Sequence, residues 1–130
     1  MPSTKPLALV AEETQLGRWA LTRALESDGF EVRAAADWLE ASAHLAQAEF
    51  RLAILAVTSR RTNIAENIHS LTRYYPAMRV ILLVDEDVSR ETREACGPGV
   101  GIVPKPIDVN AIARLAREDG PARIAVGETA

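Results

Sequence analysis

Three charged side chains stand directly after short apolar runs, and their types suit phosphoryl chemistry. Glu12 and Glu13 follow the first apolar run of the chain, and Lys105 follows the last one. Paired carboxylates can bind Mg²⁺ through oxygen, and a lysine ammonium can neutralise the charge on a transferring phosphoryl group. Such a reaction also needs a nucleophile, which is expected at the end of the central strand. The central run ends with Leu55, Ala56 and Val57, and the side chain of Ala56 has no heteroatom that could accept a phosphoryl group.

Four short apolar runs and one weaker candidate strand alternate along the chain with longer segments of helical periodicity. The apolar runs cover residues 7–11, 52–57, 80–84 and 101–103, and the weaker strand is predicted over residues 30–35. Unbroken apolar runs of this length are typical of strands that are buried on both faces. Five strand–helix units in 130 residues predict a parallel sheet with helices on both faces. Ligands bind such sheets at the carboxyl ends of the strands, so the residues that follow the runs are expected to converge there.

Capping residues predict where the helices begin and end. Thr14 is expected to begin the first helix, and Gly29 to end it, because glycine suits the left-handed residue that follows a helix. Asp37 and Glu40 have the spacing of a capping box at the start of the second helix. Three further helices are predicted. One begins at Asn63, a short one covers residues 89–96, and the last begins at Asp108.

Composition narrows the class of protein. Fifteen Lys and Arg residues against 18 Asp and Glu residues give a net charge of −3, whereas a nucleic-acid binder needs a basic face. No apolar run approaches the roughly 20 residues of a membrane span or forms the core of a secretory signal peptide. A single cysteine, Cys96, cannot form an internal disulfide, which indicates a reducing cytoplasm. Residues 1–117 are predicted to form one domain, and residues 118–130 a C-terminal tail.

The order and spacing of these features resemble the receiver domain of two-component response regulators over about residues 6–117. In that family, an acidic pair after the first strand holds Mg²⁺, an aspartate at the end of the third strand accepts the phosphoryl group, and a lysine before a proline binds its oxygens. Glu12 and Glu13 match the acidic pair, and Lys105, which precedes Pro106, matches the lysine. The resemblance implies a flavodoxin-like, doubly wound, three-layer α/β sandwich with a five-stranded parallel sheet and about five helices.

Three positions depart from the family pattern. Ala56 stands where the phosphoacceptor aspartate belongs, Val84 where a Ser or Thr belongs, and Ile102 where the switch aromatic belongs. A shift of one or two residues does not restore the acceptor, since no aspartate occurs between Asp37 and Asp85. The chain therefore resembles a degenerate receiver, or pseudo-receiver, whose Lys105 is a remnant of the phosphate site.

This resemblance implies a non-enzymatic, non-phosphorylatable signalling module of a phosphorelay-type pathway that acts by protein–protein interaction. Its partners would be a histidine kinase, an output domain, another regulator or a second copy of the chain, with no direct contact to nucleic acid or membrane. The predicted interface consists of Arg90, Arg93, Arg114 and Arg117. Two alternatives stay open: an atypical phosphoacceptor that uses Asp85 or Glu13, and a small-ligand sensor whose cleft the apolar replacements have made less polar.

No cofactor is expected, although three roles stay open for the acidic pair. Glu12 and Glu13 could bind Mg²⁺, they could form a solvated strand end, or they could form an ion pair with Lys105 that holds the cleft closed. The two tryptophans, Trp19 and Trp38, lie on apolar helical faces and are predicted to be core residues, with an interface as the alternative for one of them. The remaining reactive side chains, for which no function is predicted, are His44, His69 and Cys96.

Overall fold

The computed structural model describes residues 5–56, 64–84 and 100–105, together with Glu94, Asn110, Ile112 and Arg114. In chain order the elements are β1 (Leu7–Ala11), α1 (Gln15–Ser27), β2 (Glu31–Ala35), α2 (Trp38–Gln47), β3 (Leu52–Ala56), α3 (Ile64–Tyr74), β4 (Arg79–Val84) and β5 (Gly101–Pro104). All five predicted strands are confirmed. The predicted helix over 89–96, the caps at Asn63 and Asp108, and the tail from residue 118 lie outside the described residues.

The strands form one parallel sheet in the order β2-β1-β3-β4-β5. This is the strand order of flavodoxin-like folds, in which the chain first moves to one side of β1 and then to the other. The predicted fold class is confirmed. The order reverses between β1 and β3, and this switch point is where such folds leave a crevice at the carboxyl edge of the sheet.

The core lies on both faces of β3 and β4. Every residue from Leu52 to Leu55 and from Val80 to Val84 is buried. From the outer elements, Leu21 and Leu25 of α1, Ala41 of α2 and Ile112 are fully buried. A strand that is covered on two faces needs apolar side chains at consecutive positions, which explains why these strands read as unbroken apolar runs. Within the described part of the chain, no helix is long and apolar enough to cross a membrane.

Capping hydrogen bonds set both ends of α1 as predicted. The hydroxyl of Thr14 accepts a hydrogen bond from the backbone N–H of Gly17 at 3.1 Å. At the other end, Gly29 has a φ of +93°, and its N–H donates to the carbonyl of Glu26 at 3.0 Å. A left-handed residue at this position lets the chain turn back into β2, and glycine adopts this conformation without steric cost.

The start of α2 confirms the predicted capping box with one difference. The carboxylate of Asp37 accepts a hydrogen bond from the N–H of Glu40 at 2.8 Å. The Glu40 carboxylate reaches back to the N–H of Ala36 at 2.7 Å, one residue before the capping residue itself. The two bonds still satisfy backbone donors at the helix start, which is the purpose of the motif.

The prediction that Trp19 is a core residue is wrong, whereas Trp38 packs half-buried against the core. Trp19 is 59% exposed, and its ring lies 5.7 Å from the guanidinium carbon of Arg23. The buried stripe of α1 consists of Gly17, Leu21 and Leu25. At about 100° per residue, Trp19 lies about 200° around the helix from Leu21, on the side away from the sheet.

Candidate functional site

The strand register defines the last rows of the sheet before its carboxyl edge. One row of paired residues crosses the sheet just before its carboxyl edge: Ala35, Ala11, Leu55, Leu82 and Ile102. All five are buried, and Leu82 and Ile102 are completely so. In the following row, Ala56 pairs with Leu83, and Leu83 pairs with Val103. The last rows of the sheet are therefore apolar, and polar groups at this edge have to come from the residues that follow the strands.

Glu12 follows β1 immediately and extends this second row. Its backbone N–H donates to the carbonyl of Ala35 at 3.0 Å, which continues the pairing of β1 with β2. Since Ala11 pairs with Leu55, Glu12 comes next to Ala56 at the switch point. Glu12 is only 5% exposed, whereas Glu13 is exposed. The two predicted members of the acidic pair thus lie in different environments.

The carboxylate of Glu12 turns back onto the start of α1. Its Oε2 accepts hydrogen bonds from the backbone N–H of Thr14 at 2.6 Å and from the Thr14 hydroxyl at 2.5 Å. Arg18 holds the backbone of the same corner, because its Nη1 donates to the carbonyl of Glu12 at 2.9 Å and to that of Glu13 at 3.0 Å. We call Glu12, Thr14, Gly17 and Arg18 the β1–α1 corner.

Gly17 makes room for this corner. A Cβ at this position would lie 2.7 Å from Thr14 Oγ1, 2.8 Å from Glu12 Cγ and 3.0 Å from Glu12 Cδ. Any larger residue would displace one of these side chains. The sequence reasoning did not single out Gly17. The sequence did contain a signal for this position, a glycine in the first turn of a predicted helix. Glycine lowers the stability of a helix by about 1 kcal/mol relative to alanine, so its presence there calls for a reason in the packing.

The three positions that depart from the receiver pattern all lie at or near the carboxyl edge. Ala56 is the last residue of β3 and is half-buried. Val84 is the last residue of β4 and is buried. Ile102 lies inside β5, where it pairs with Leu82 and is completely buried. The structure thus brings Glu12, Ala56 and Val84 to the ends of three neighbouring strands.

Lys105 is at the same edge. Its backbone N–H donates to the carbonyl of Val84 at 2.7 Å, so the lysine begins beside the end of β4, and the residue is half-buried. The proposed ion pair between Lys105 and the acidic pair stays a prediction.

A Mg²⁺ site at Glu12 and Glu13 also stays a prediction. Among them, no three His, Cys, Asp or Glu side chains form a group that could hold a metal ion. Glu12 directs a carboxylate oxygen to Thr14, and Ala56 offers no oxygen from its side chain. Asp85, the alternative acceptor, lies outside the described residues.

The predicted arginine interface is described only in part. Arg114 is exposed, whereas Arg90, Arg93 and Arg117 lie outside the described residues. The large apolar side chains that the described part of the surface exposes are Leu16, Trp19, Leu39 and Tyr74. His44 is half-buried in α2, and His69 is exposed in α3.

No protein-family model and no curated protein matches this sequence. Its structure is similar to several solved response regulators. A response regulator from Thermotoga maritima superposes with a TM-score of 0.72 at 23% identity, over 87% of this chain and 95% of that one. The chemotaxis response regulator CheY4 of Vibrio cholerae has a TM-score of 0.72 at 23% identity, over 88% of this chain and 98% of that one. A CheY-like receiver domain protein from Methanospirillum hungatei JF-1 has a TM-score of 0.68 at 18% identity, over 85% and 90%.

The structural neighbours are thus response-regulator receiver domains, and for these three the similarity extends over at least 90% of their length. At these identities the similarity establishes a common fold. Because unrelated functions can share one fold, the function of this chain has to be argued from the residues at its carboxyl edge.

Proposed function

We propose that this chain is a receiver-like signalling module that works by binding other proteins and does not accept a phosphoryl group. The observation that carries the proposal is the position of Ala56. It ends the central strand β3, next to Glu12 and opposite Leu83, where a receiver needs its nucleophile. A methyl group cannot form the bond to phosphorus on which such a switch depends.

The two other departures support the same reading. The buried side chain of Val84 has no hydroxyl that could donate a hydrogen bond to a phosphoryl oxygen. Ile102 is completely buried within the sheet and carries no ring that could turn between a buried and an exposed position. The phosphoacceptor, the hydroxyl ligand of the phosphoryl oxygens and the aromatic reporter are therefore all replaced in this chain. This is expected for a module that retains the receiver fold without the phosphorylation switch.

A module without this chemistry contributes through its surface. We infer that its partner is a histidine kinase, an output domain, another regulator or a second copy, and that it works in the cytoplasm. Arg114, the described member of the arginine group, is exposed and available for such a contact.

Light scattering of the native chain and of Arg114→Glu tests the homodimer. A dimer that weakens on charge reversal supports this face, and an unchanged dimer contradicts it.

Intact-protein mass spectrometry after incubation with acetyl phosphate and Mg²⁺ tests the proposal directly. The native chain is expected to gain no adduct of roughly 80 Da, the mass of one phosphoryl group. Ala56→Asp is the gain-of-function variant, and Ala56→Asn is its matched control, since asparagine has nearly the same shape but cannot form an acyl phosphate.

An adduct on Ala56→Asp alone would show that the crevice lacks only its acceptor. An adduct on the native chain would overturn the proposal and favour the atypical phosphoacceptor. Glu13→Gln and Asp85→Asn would then identify the modified side chain.

A further inference from the structure

We propose that Glu12 is a positioning residue that ties the end of β1 to the start of α1, and that it is not a cation ligand. This inference deepens the proposed function, since it assigns a structural task to one half of the acidic pair. It rests on the bonding and burial of the β1–α1 corner.

A continuous hydrogen-bond chain runs through the corner. The N–H of Gly17 donates to the hydroxyl of Thr14, and that hydroxyl donates its single proton to Oε2 of Glu12. A threonine hydroxyl has one proton and two lone pairs, so it can cap the helix and still bond the carboxylate. The backbone N–H of Thr14 provides the second donor to the same oxygen. Hydrogen bonds to a carboxylate are stronger than neutral ones, and bonds in a chain polarise one another.

The negative charge of Glu12 also suits this place electrostatically. The first turn of α1 contains no acidic residue of its own. Its free N–H groups and the aligned peptide dipoles give the start of a helix a partial positive charge, which a nearby carboxylate stabilises. Glu12 supplies that carboxylate from the preceding strand end. The guanidinium of Arg18 holds the two carbonyls of the corner, so backbone and side chain are fixed together.

This arrangement competes with metal binding. Mg²⁺ requires carboxylate oxygens at about 2.0–2.1 Å in nearly ideal octahedral geometry. Oε2 of Glu12 already accepts two hydrogen bonds, and the residue is 95% buried against the corner. Moving this oxygen out of the corner and onto a cation would break both bonds and leave the N–H of Thr14 without its acceptor. Ala56, the adjacent strand end, offers no compensating ligand.

Thermal unfolding of four variants, with and without excess MgCl₂, separates the two roles. Glu12→Ala removes the acceptor, Thr14→Val removes the hydroxyl, and the double variant removes both. Glu12→Gln keeps an acceptor oxygen in nearly the same shape without the charge. Glu26→Gln, an exposed glutamate on the same helix, is the matched control.

We expect Glu12→Ala and Thr14→Val each to lower the melting temperature by on the order of 10 °C, since the first removes two charge-assisted bonds and the second removes one of them together with the helix cap. The melting temperature of the double variant should fall by clearly less than the sum of the two single decreases, because both substitutions remove the same bond. The decrease for Glu12→Gln should be smaller than that for Glu12→Ala. MgCl₂ should change the melting temperatures of the native chain and of Glu12→Gln by the same amount, or change neither.

Two results would overturn the inference. One is an additive double variant, which would show that Glu12 and Thr14 do not interact. The other is a rise in melting temperature with MgCl₂ that Glu12→Gln abolishes while it still folds, which would make Glu12 a cation ligand. Both differ from a phosphoryl adduct on the native chain, which would overturn the proposed function and leave the coupling of Glu12 and Thr14 intact.

Discussion

Replacing Gly17 with alanine should destabilise this protein, although the same change usually stabilises a helix. Alanine is favoured over glycine by about 1 kcal/mol inside a helix, and Gly17 lies in the first turn of α1 with a helical backbone. Helix propensity alone therefore predicts that Gly17→Ala increases the stability of the protein. The packing of the β1–α1 corner predicts the opposite, so this substitution decides between a local and a tertiary account of the site.

The contacts that a Cβ would make set the magnitude. At 2.7 Å from Thr14 Oγ1 and 2.8 Å from Glu12 Cγ, it lies closer than such atoms can approach. Moving the capping hydroxyl costs about 1 kcal/mol for the cap and also breaks its bond to Glu12, whereas swinging Glu12 out breaks two charge-assisted bonds worth roughly 1.5–3 kcal/mol each. Thr14 is exposed, so the lower end of that range applies. With about 1 kcal/mol for the cap and about 1.5 kcal/mol for each bond to Glu12, set against a gain in propensity of about 1 kcal/mol, a net loss of about 1.5–3 kcal/mol remains.

Urea and thermal unfolding of Gly17→Ala measure this loss, which corresponds to roughly 4 °C in melting temperature for each kcal/mol. The matched comparison is the same substitution made together with Glu12→Ala. Removing Cγ and Cδ of Glu12 clears two of the three close contacts, so Gly17→Ala should cost less in that background. A Gly17→Ala protein that is about 1 kcal/mol more stable than the native chain would refute the reasoning, because propensity alone would then explain the position.

Three further predictions concern the rest of the fold. Asp37→Ala should lower the free energy of unfolding in urea by about 1 kcal/mol, since it removes the acceptor for the first turn of α2. Asp37→Ser should retain most of this stability, because serine can also accept the hydrogen bond. Equal losses for the two variants would contradict the capping role. Leu82→Ala should lower the free energy of unfolding by about 3 kcal/mol, because that side chain is completely buried. Leu39→Ala, at an exposed position, should change it by less than about 0.5 kcal/mol. Similar effects of the two substitutions would contradict the described core. Iodide should quench the fluorescence of Trp38→Phe, which retains Trp19, more strongly than that of Trp19→Phe; the reverse order would place Trp19 in the core.

Strands and helix ends were predictable because the interactions that produce them are local or depend only on composition. The runs that became β3 and β4 are apolar at every position because both of their faces are covered. Thr14 and Asp37 were recognised as caps because each accepts from an N–H three residues ahead, a spacing that is visible in the sequence. Gly29 was recognised because few other residues adopt its backbone conformation readily.

The candidate site was predictable in its residues but not in its contacts. The apolar runs together with the resemblance to receiver domains located Glu12, Ala56, Val84 and Lys105 at or near strand ends, and the structure places them at one edge of the sheet. The bonds of Glu12 were not foreseen, since a glutamate after a strand can turn outward to solvent or back onto the next helix. Gly17 decides between these rotamers, because only a residue without a Cβ leaves room for the second.

The sequence by itself determined the element types, their caps and the absence of an acceptor at position 56, because these follow from residue identity and local hydrogen bonding. Only the tertiary structure decided the strand order, the exposure of Trp19 and the burial of Glu12. Alternating strands and helices are compatible with several strand orders, and the observed one arises when the sheet buries the most apolar strands at its centre. Trp19 is exposed because α1 turns its Gly17–Leu21–Leu25 stripe to that sheet, and no local pattern specifies which stripe will face it.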